Sequence, residues 1–493
     1  MTGERQKMLT LCVEDIVAAT GAQLIAGTAS ICVKKVVRDS REVGKGTLFV
    51  CFPGDRVDGN DFASASIEAG VAAVALTREA PAGLLSQAKA AGCAVLRAAG
   101  DDPTEFLLRL AAEWRRRNPQ WAVVGITGSV GKTTTKDMVS FGLRTCWRVH
   151  ATSGNYNNLV GVPLTILSAS ADDQVVVCEM GMNHKGELSR LTSVVRPTIA
   201  AITNIGTSHI GLLGSREAIA RAKSEIIEGL PASSAAVDTA VGPLSSRLVL
   251  SEDNDFSSLI EQQYCRPAGV DILRVGTSEE AAVSHGVIKL DESGLPFFKL
   301  RFADGWSYEA KLKIAGTAAV MDFLFAMAIC AYLGVDRKKA AHAIEQMPSA
   351  HMRLELRKLP GRPRVIDDSY NASPASMASA LQVLSSLSCR GRRVAVLGEM
   401  GELGAESARL HGYVGAYVAA VSPDFVVWVG KDDAREMQEA ALTMGYEEGR
   451  MELFPDVSSA LSAVAPKLCQ DDLVLVKASR AVGLDEFVRR VLA

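Results

Sequence analysis

Three uninterrupted apolar runs stand in the middle of the chain: Trp121–Ile126, Gln174–Cys178 and Thr198–Ile202. Runs of this length without polar alternation read as strands covered on both faces, and helical stretches separate them. That alternation predicts a doubly wound, mostly parallel α/β sheet. From about residue 345 the pattern recurs, with Arg364–Ile366, Arg393–Leu397, Phe425–Val429 and Leu473–Val476 as strands of a second, smaller α/β unit. Residues 1–115 mix short strands and helices. Thr47–Phe52 reads as a strand, Gly54 and Asp58–Phe62 as a turn, and Ala63–Ala69 as a helix. Another helix starts near Pro103 and ends in Arg115-Arg116-Arg117, a basic cluster that reads as solvated. Residues 232–312 are less regular and Ser-rich around 243–258, where an insertion or loop is expected. No internal repeat or low-complexity tract interrupts the pattern.

The 493 residues leave room for about three domains. A net charge of −3 gives no broad attraction to nucleic acid, which argues against a motor on a polyanionic track. Met1–Lys7 is polar, no apolar leader follows it, and no run of 18 apolar residues exists, so a cytoplasmic protein without a membrane span is expected. The ten cysteines are scattered without a C-x-x-C pair, which predicts buried free thiols rather than zinc ligands or a disulfide framework.

Chemistry concentrates in Gly125-Ile126-Thr127-Gly128-Ser129-Val130-Gly131-Lys132-Thr133-Thr134-Thr135. A glycine-rich turn between a strand and a helix, here expected over Lys136–Leu143, presents backbone N–H groups to phosphates. Lys132 supplies a positive charge for the distal phosphates and Thr133 a hydroxyl for Mg²⁺. The general phosphate-loop pattern wants glycine at 126, where the chain has Ile126; its glycines are Gly125, Gly128 and Gly131. Mg²⁺ takes one or two carboxylates beside phosphate and water, and Glu179, ending an apolar strand, is placed for that role. His209 follows another strand and is either a satisfied loop histidine or a functional one. Lys223 alone would be a helix-surface lysine.

Further stretches carry a resemblance: Thr152–Thr165, Glu179–Glu187, Asp367–Pro374 and Val396–Gly404, between Asp39-Ser40-Arg41 near one end and Lys477-Ala478-Ser479-Arg480 near the other. On these the chain resembles the Mur ligases, ATP-dependent amide-forming enzymes of peptidoglycan synthesis. The offset glycines belong to that family's loop, which accounts for Ile126. The resemblance implies three domains: a small N-terminal α/β domain over 1–115 for the UDP-sugar nucleotide, a central P-loop domain over 116–340 for Mg-ATP, and a Rossmann-like domain over 341–493 that brings the dipeptide and closes over ATP. It implies addition of D-alanyl-D-alanine to UDP-N-acetylmuramoyl-tripeptide (UDP-MurNAc-tripeptide) through an acyl phosphate. In place of Asp368–Pro374, the ligase preceding this step would show Asp-Tyr-Ala-His-Thr-Pro.

Residue roles follow from the resemblance. Gly128, Ser129, Val130, Gly131, Lys132, Thr133 and Thr134 would hold the phosphates. Thr133, Glu179, His209 and Lys223 would hold Mg²⁺, with Lys223 as a carbamate. Lys132, Lys223 and His209 would be the catalytic set. Arg353 and Asp368 would reach the nucleotide, and Asn157 and Asn158 would line its side of the cleft. Tyr370, Asn371 and Lys477 would line the substrate side, and Ser40 and Arg41 would lie near UDP. A monomer with small-molecule substrates is implied. Two stretches depart from the family. Its Gly-x-His-Asn-x-x-Asn reads Gly316-Thr317-Ala318-Ala319-Val320-Met321-Asp322 here, and an Asn-x-Asp element is replaced by Ser251-Glu252-Asp253. Two alternatives stand beside this reading: a related Mur or folylpolyglutamate-type ligase, against which the stretches 155–165 and 367–374 argue, and a non-catalytic nucleotide-binding paralogue, suggested by Ala318 and Ala319.

Overall fold

The computed structural model describes residues 9–54 and 56–493; the polar Met1–Lys7 segment lies outside them. Among the described residues three large sheets follow one another along the chain, beside two two-stranded ones. The first has strands β1 (Gln23–Ala26), β2 (Lys35–Val37), β3 (Thr47–Val50), β4 (Ala73–Leu76) and β5 (Ala94–Arg97), in spatial order β1-β5-β4-β3-β2. Helix α1 (Pro103–Arg117) leads out of it. Its start is well specified: Pro103 fills the first turn, and the Asp102 carboxylate accepts the Thr104 and Glu105 amides. Its apolar stripe, Phe106, Leu107, Leu110, Ala111 and Trp114, is buried.

The second sheet comprises β6 (Ala122–Thr127), β7 (Val149–Ala151), β8 (Val175–Glu179), β9 (Ile199–Ile202), β10 (Arg247–Ser251), β11 (Asp271–Gly276), β12 (Val283–His285), β13 (Lys289–Leu290), β14 (Pro296–Phe302) and β15 (Ser307–Lys311). Its path is β13-β14-β12-β11-β10-β9-β6-β8-β7, with β15 paired to β14. Strands from β7 to β12 are parallel; β13, β14 and β15 pair antiparallel. Between β6 and β7 lies α2 (Lys132–Leu143), which begins at Lys132, one turn before the expected start. After β9 come the short α3 (Ile210–Leu213) and then α4 (Arg216–Ser224); α5 (Ala318–Tyr332) follows β15. Strand order reverses around β6, flanked by β8 and β9, and ligands of open α/β sheets gather at the carboxyl ends of such strands.

The third sheet holds β16 (Glu355–Arg357), β17 (Arg364–Asp367), β18 (Arg393–Gly398), β19 (Phe425–Val429), β20 (Met451–Phe454) and β21 (Leu473–Lys477), ordered β16-β17-β21-β18-β19-β20, with α6 (Ser407–Val421) between β18 and β19. Only β16 runs antiparallel.

Three sequence expectations need correction. The stretch over 232–312 is not a loop: β10 to β15 extend the main sheet there. Ser246, Ser251 and Ser257 are buried, and the Ser257 hydroxyl bonds the Ser251 carbonyl, so serine content marked packed turns rather than solvated chain. Arg115 is not solvated; its guanidinium donates to the carbonyls of Val195, Asn118 and Arg196, pinning α1 to the end of the helix Glu187–Val195. Burial lowers its pKa to about 10. Finally, half of the thiols are buried (Cys51, Cys93, Cys178, Cys265, Cys330), whereas Cys12, Cys32, Cys146, Cys389 and Cys469 reach the surface at least in part.

Candidate active site

The turn Gly128–Gly131 joins β6 to α2, and its glycines have steric reasons. A Cβ on Gly128 would lie 1.9 Å from the Thr203 hydroxyl, and one on Gly131 2.3 Å from an Asp322 carboxylate oxygen. Both also adopt positive φ, 151° and 85°. Position 126 is different: it is an interior strand residue, fully buried, so Ile126 suits it. The offset pattern is therefore a demand of the neighbouring segments, Thr203 from the β9 end and Asp322 from α5.

Sequence reasoning missed a residue here. Asn204 follows β9, and its side-chain oxygen accepts the Ser129 and Val130 amides at 3.1 and 2.9 Å. The Thr203 hydroxyl bonds the Val130 carbonyl at 2.6 Å, and the Ser129 hydroxyl accepts the Gly206 amide at 2.9 Å. The loop is thus clasped by the 203–206 segment. An Asn just beyond an apolar strand, next to a glycine-rich loop's strand, was the available signal. Lys132 reaches back to the carbonyls of Gly128 at 2.8 Å and Ser129 at 3.4 Å. Burial lowers its pKa, and the charge of Glu179 opposes that shift.

Glu179 is the last residue of β8 and only 2% exposed. One carboxylate oxygen accepts from Asn157 at 2.8 Å; the other is buried with no protein hydrogen-bond partner. A buried carboxylate oxygen without a donor is costly, and a hard cation would satisfy it. Among the described residues no cluster of three or more His, Cys, Asp or Glu could hold a metal. The donor set suits Mg²⁺ bound chiefly through phosphates and water: the Glu179 oxygen and the Thr133 hydroxyl share one cavity with His209. Lys223 does not line that cavity. It is buried in α4, and burial, followed by the charge of Lys132, drives its pKa well below the ordinary lysine value.

The third sheet supplies the opposite wall. Arg353 sits in a turn where Met352 and Leu354 both have positive φ, 60° and 49°. The turn is held by the Leu354 amide on the Asp368 carboxylate at 3.2 Å and by Arg353 stacked 4.2 Å over the Tyr370 ring. The Lys477 ammonium donates to Asp368 at 2.6 Å and to the Asn371 carbonyl at 2.9 Å, with both side chains buried. Burial raises the Asp368 pKa, and the Lys477 charge restrains the shift.

Two adjoining cavities, about 600 and 930 Å³, separate the walls. The smaller is lined by Ser129–Thr134, Asn157, Asn158, Glu179, Arg353, Asp368, Tyr370, Asn371 and Lys477, together with Ala318, Ala319 and Asp322. The larger also touches Lys132, Thr133, His209, Arg353, Tyr370 and Asn371 and adds Arg480, while Glu402 borders both. Gly128 meets the site through its carbonyl on Lys132. Ser40 and Arg41 are not part of either cavity: they lie in a short 3₁₀ turn of the first unit, where Arg41 is bound to Asp39. Glu252 and Asp253 are also elsewhere, bonded to Ser278 and Thr277.

Three family models match the chain in succession: "Mur ligase family, catalytic domain" over 33–114, "Mur ligase middle domain" over 126–330, and "Mur ligase, glutamate ligase domain" over 352–480. A UDP-N-acetylmuramoyl-tripeptide–D-alanyl-D-alanine ligase of Bacillus subtilis is 35% identical over 96% of this chain and 97% of its own. The chain belongs to the Mur ligase family. The Escherichia coli ligase of the same name is 30% identical to this Mur ligase over 94% of each chain. A crystal structure of MurF from Acinetobacter baumannii superposes with a TM-score of 0.83 at 29% identity, covering 99% of both chains. Among the described residues of this Mur ligase, no helix is long and apolar enough to cross a membrane.

Proposed function

We propose that this Mur ligase joins D-alanyl-D-alanine to UDP-MurNAc-tripeptide with ATP, in the cytoplasm where these charged, soluble substrates occur. The observation that carries the reading is the paired cavity, with a phosphate loop on one wall and Arg353, Tyr370 and the Asp368–Lys477 pair on the other. The curated relatives of that name, similar end to end, support it.

A carboxylate is a poor acyl donor until one oxygen carries a good leaving group. The terminal carboxylate of the tripeptide attacks the γ-phosphorus of ATP, the bond to the β-phosphate oxygen breaks, and ADP leaves. The dipeptide amine then attacks the acyl carbon, phosphate departs, and the amine gives up a proton. In the first step Lys132 stabilises charge building on the transferred oxygens. Gly131, at the start of α2, turns the following amides toward the phosphates. Mg²⁺, held by Thr133, Glu179 and His209, would neutralise phosphate charge. Lys223, as a carbamate, would supply an anionic ligand for a second Mg²⁺; burial disfavours its ammonium form, and the unprotonated amine is the form that adds CO₂. Arg353 from the third sheet approaches the nucleotide, so the two walls together exclude the water that would hydrolyse an acyl phosphate.

The test is ADP release measured with UDP-MurNAc-tripeptide and D-Ala-D-Ala, each alone and together. Sustained release only with both is expected. Release with neither rejects the ligase reading, and absence of release under every condition favours a non-catalytic nucleotide-binding protein.

A further inference from the structure

The second and third units touch at a place none of the assigned roles uses. Helix α3 and the loop after β18 meet backbone to backbone: the Gly211 amide donates to the Glu402 carbonyl at 3.0 Å. The approach is so close that a Cβ on Gly211 would lie 2.4 Å from the Gly404 nitrogen and 2.6 Å from the Leu403 carbonyl carbon. From the other side, a Cβ on Gly404 would lie 2.7 Å from the Gly211 Cα. Ile210 and Leu403 are buried beside the contact. The Glu402 carboxylate stands 2.6 Å from His209 Nδ1. His209 and Glu402 are both non-glycine residues with positive φ, 65° and 64°. Such backbone costs about 1–3 kcal/mol each and persists only where the surroundings hold it.

The loop is braced from behind. The fully buried His411 of α6 accepts the Met400 amide at 2.8 Å through Nε2, while its Nδ1 pairs with the Ser407 carbonyl at 2.9 Å. The Ser407 hydroxyl is bound in turn by Asp433. A loop held this firmly presents the Glu402 carbonyl at a set position.

We propose that Gly211 and the Glu402–Gly404 edge form a docking seat that fixes the third unit against the second, and that Glu402 is thereby a positioning residue for His209. Because both His209 and Glu402 border the larger cavity, the seat sets the distance between the phosphate loop and the wall bearing Arg353 and Tyr370. The turnover consequences rest on the proposed ligase reaction; the seat itself does not.

Gly211→Ala is a clean probe, since the backbone at 211 accepts an L side chain and only the seat lacks room for it. Hydrogen exchange of the peptide spanning 207–214, measured with Mg-ADP present, should show a protected Gly211 amide in the wild type and lost protection in Gly211→Ala. The same variant should lose at least tenfold in kcat while its thermal midpoint stays near the wild-type value. Glu402→Gln should keep Gly211 protected, because the carbonyl seat remains, and lose severalfold in kcat. Rapid exchange at Gly211 in the wild type, or unchanged protection and kcat in Gly211→Ala, overturns the seat. Unchanged kcat in Glu402→Gln overturns the positioning role. A wild type that protects Gly211 but makes no amide bond sinks the ligase reading alone.

Discussion

Lys132 is held by two loop carbonyls, so its ammonium sits over the turn before any phosphate arrives. Its removal takes a charge from the site without opening a core cavity. Lys132→Ala is therefore expected to reduce ADP release at least a thousandfold, about 4 kcal/mol, with an unchanged circular dichroism spectrum and melting curve. Normal turnover would reject the assignment of the loop. Asp322 is a second informative residue. It replaces the family's asparagine, accepts from Thr135 at 2.9 Å, and has its pKa raised by burial to about 7. The folded protein then keeps a proton that the unfolded chain releases above about pH 4. The contribution of this group to stability is full below that value and declines as pH rises to 7. Urea melts of wild type and Asp322→Asn should diverge from pH 5 to pH 8, with the asparagine variant gaining; a constant difference would contradict the burial argument. That Lys132, Thr133 and Glu179 would gather at one cavity was legible in the sequence, because loop and strand-end positions follow from local spacing. Asn204 and Glu402 were not, because each acts on a segment distant in sequence.

At the scale of elements, the ends of β17 and β21 are joined by the Asp368–Lys477 pair. Removing one partner strands a buried charge, and Lys477→Ala should cost about 3–5 kcal/mol in a denaturant melt. The double variant Asp368→Leu/Lys477→Met should recover much of that loss while remaining inactive. If the single and double variants are equally unstable, the pair does not behave as a buried charge couple. Strands were readable wherever apolar runs were continuous: Phe425–Val429 matches its strand to the residue, and Leu473–Val476 falls one short. The 232–312 region was misread because β10 to β15 are interrupted by serine and glycine turns, whose polarity looks like loop until the carbonyl partners are known. Arg115 was misread for a related reason: a helix-end arginine is solvated unless other chain ends, here Val195 and Arg196, bring carbonyls to it.

Across the whole molecule, the sheet units were legible because each repeats its own alternation of strand and helix. Their mutual placement was not, since the Gly211–Gly404 approach depends on atoms that are absent from two glycines. The clasp of Asn204 on the phosphate loop has a consequence for timing. With the Ser129 and Val130 amides already bonded to Asn204, the loop is ordered before a nucleotide arrives, and those two amides are not the ones left open to phosphate. Nucleotide capture should then follow a single exponential whose rate grows linearly with concentration in stopped-flow fluorescence, and Asn204→Ala should introduce a plateau as loop ordering becomes limiting. In this protein the slow events would belong to the meeting of the units, leaving the phosphate loop as the part that does not wait.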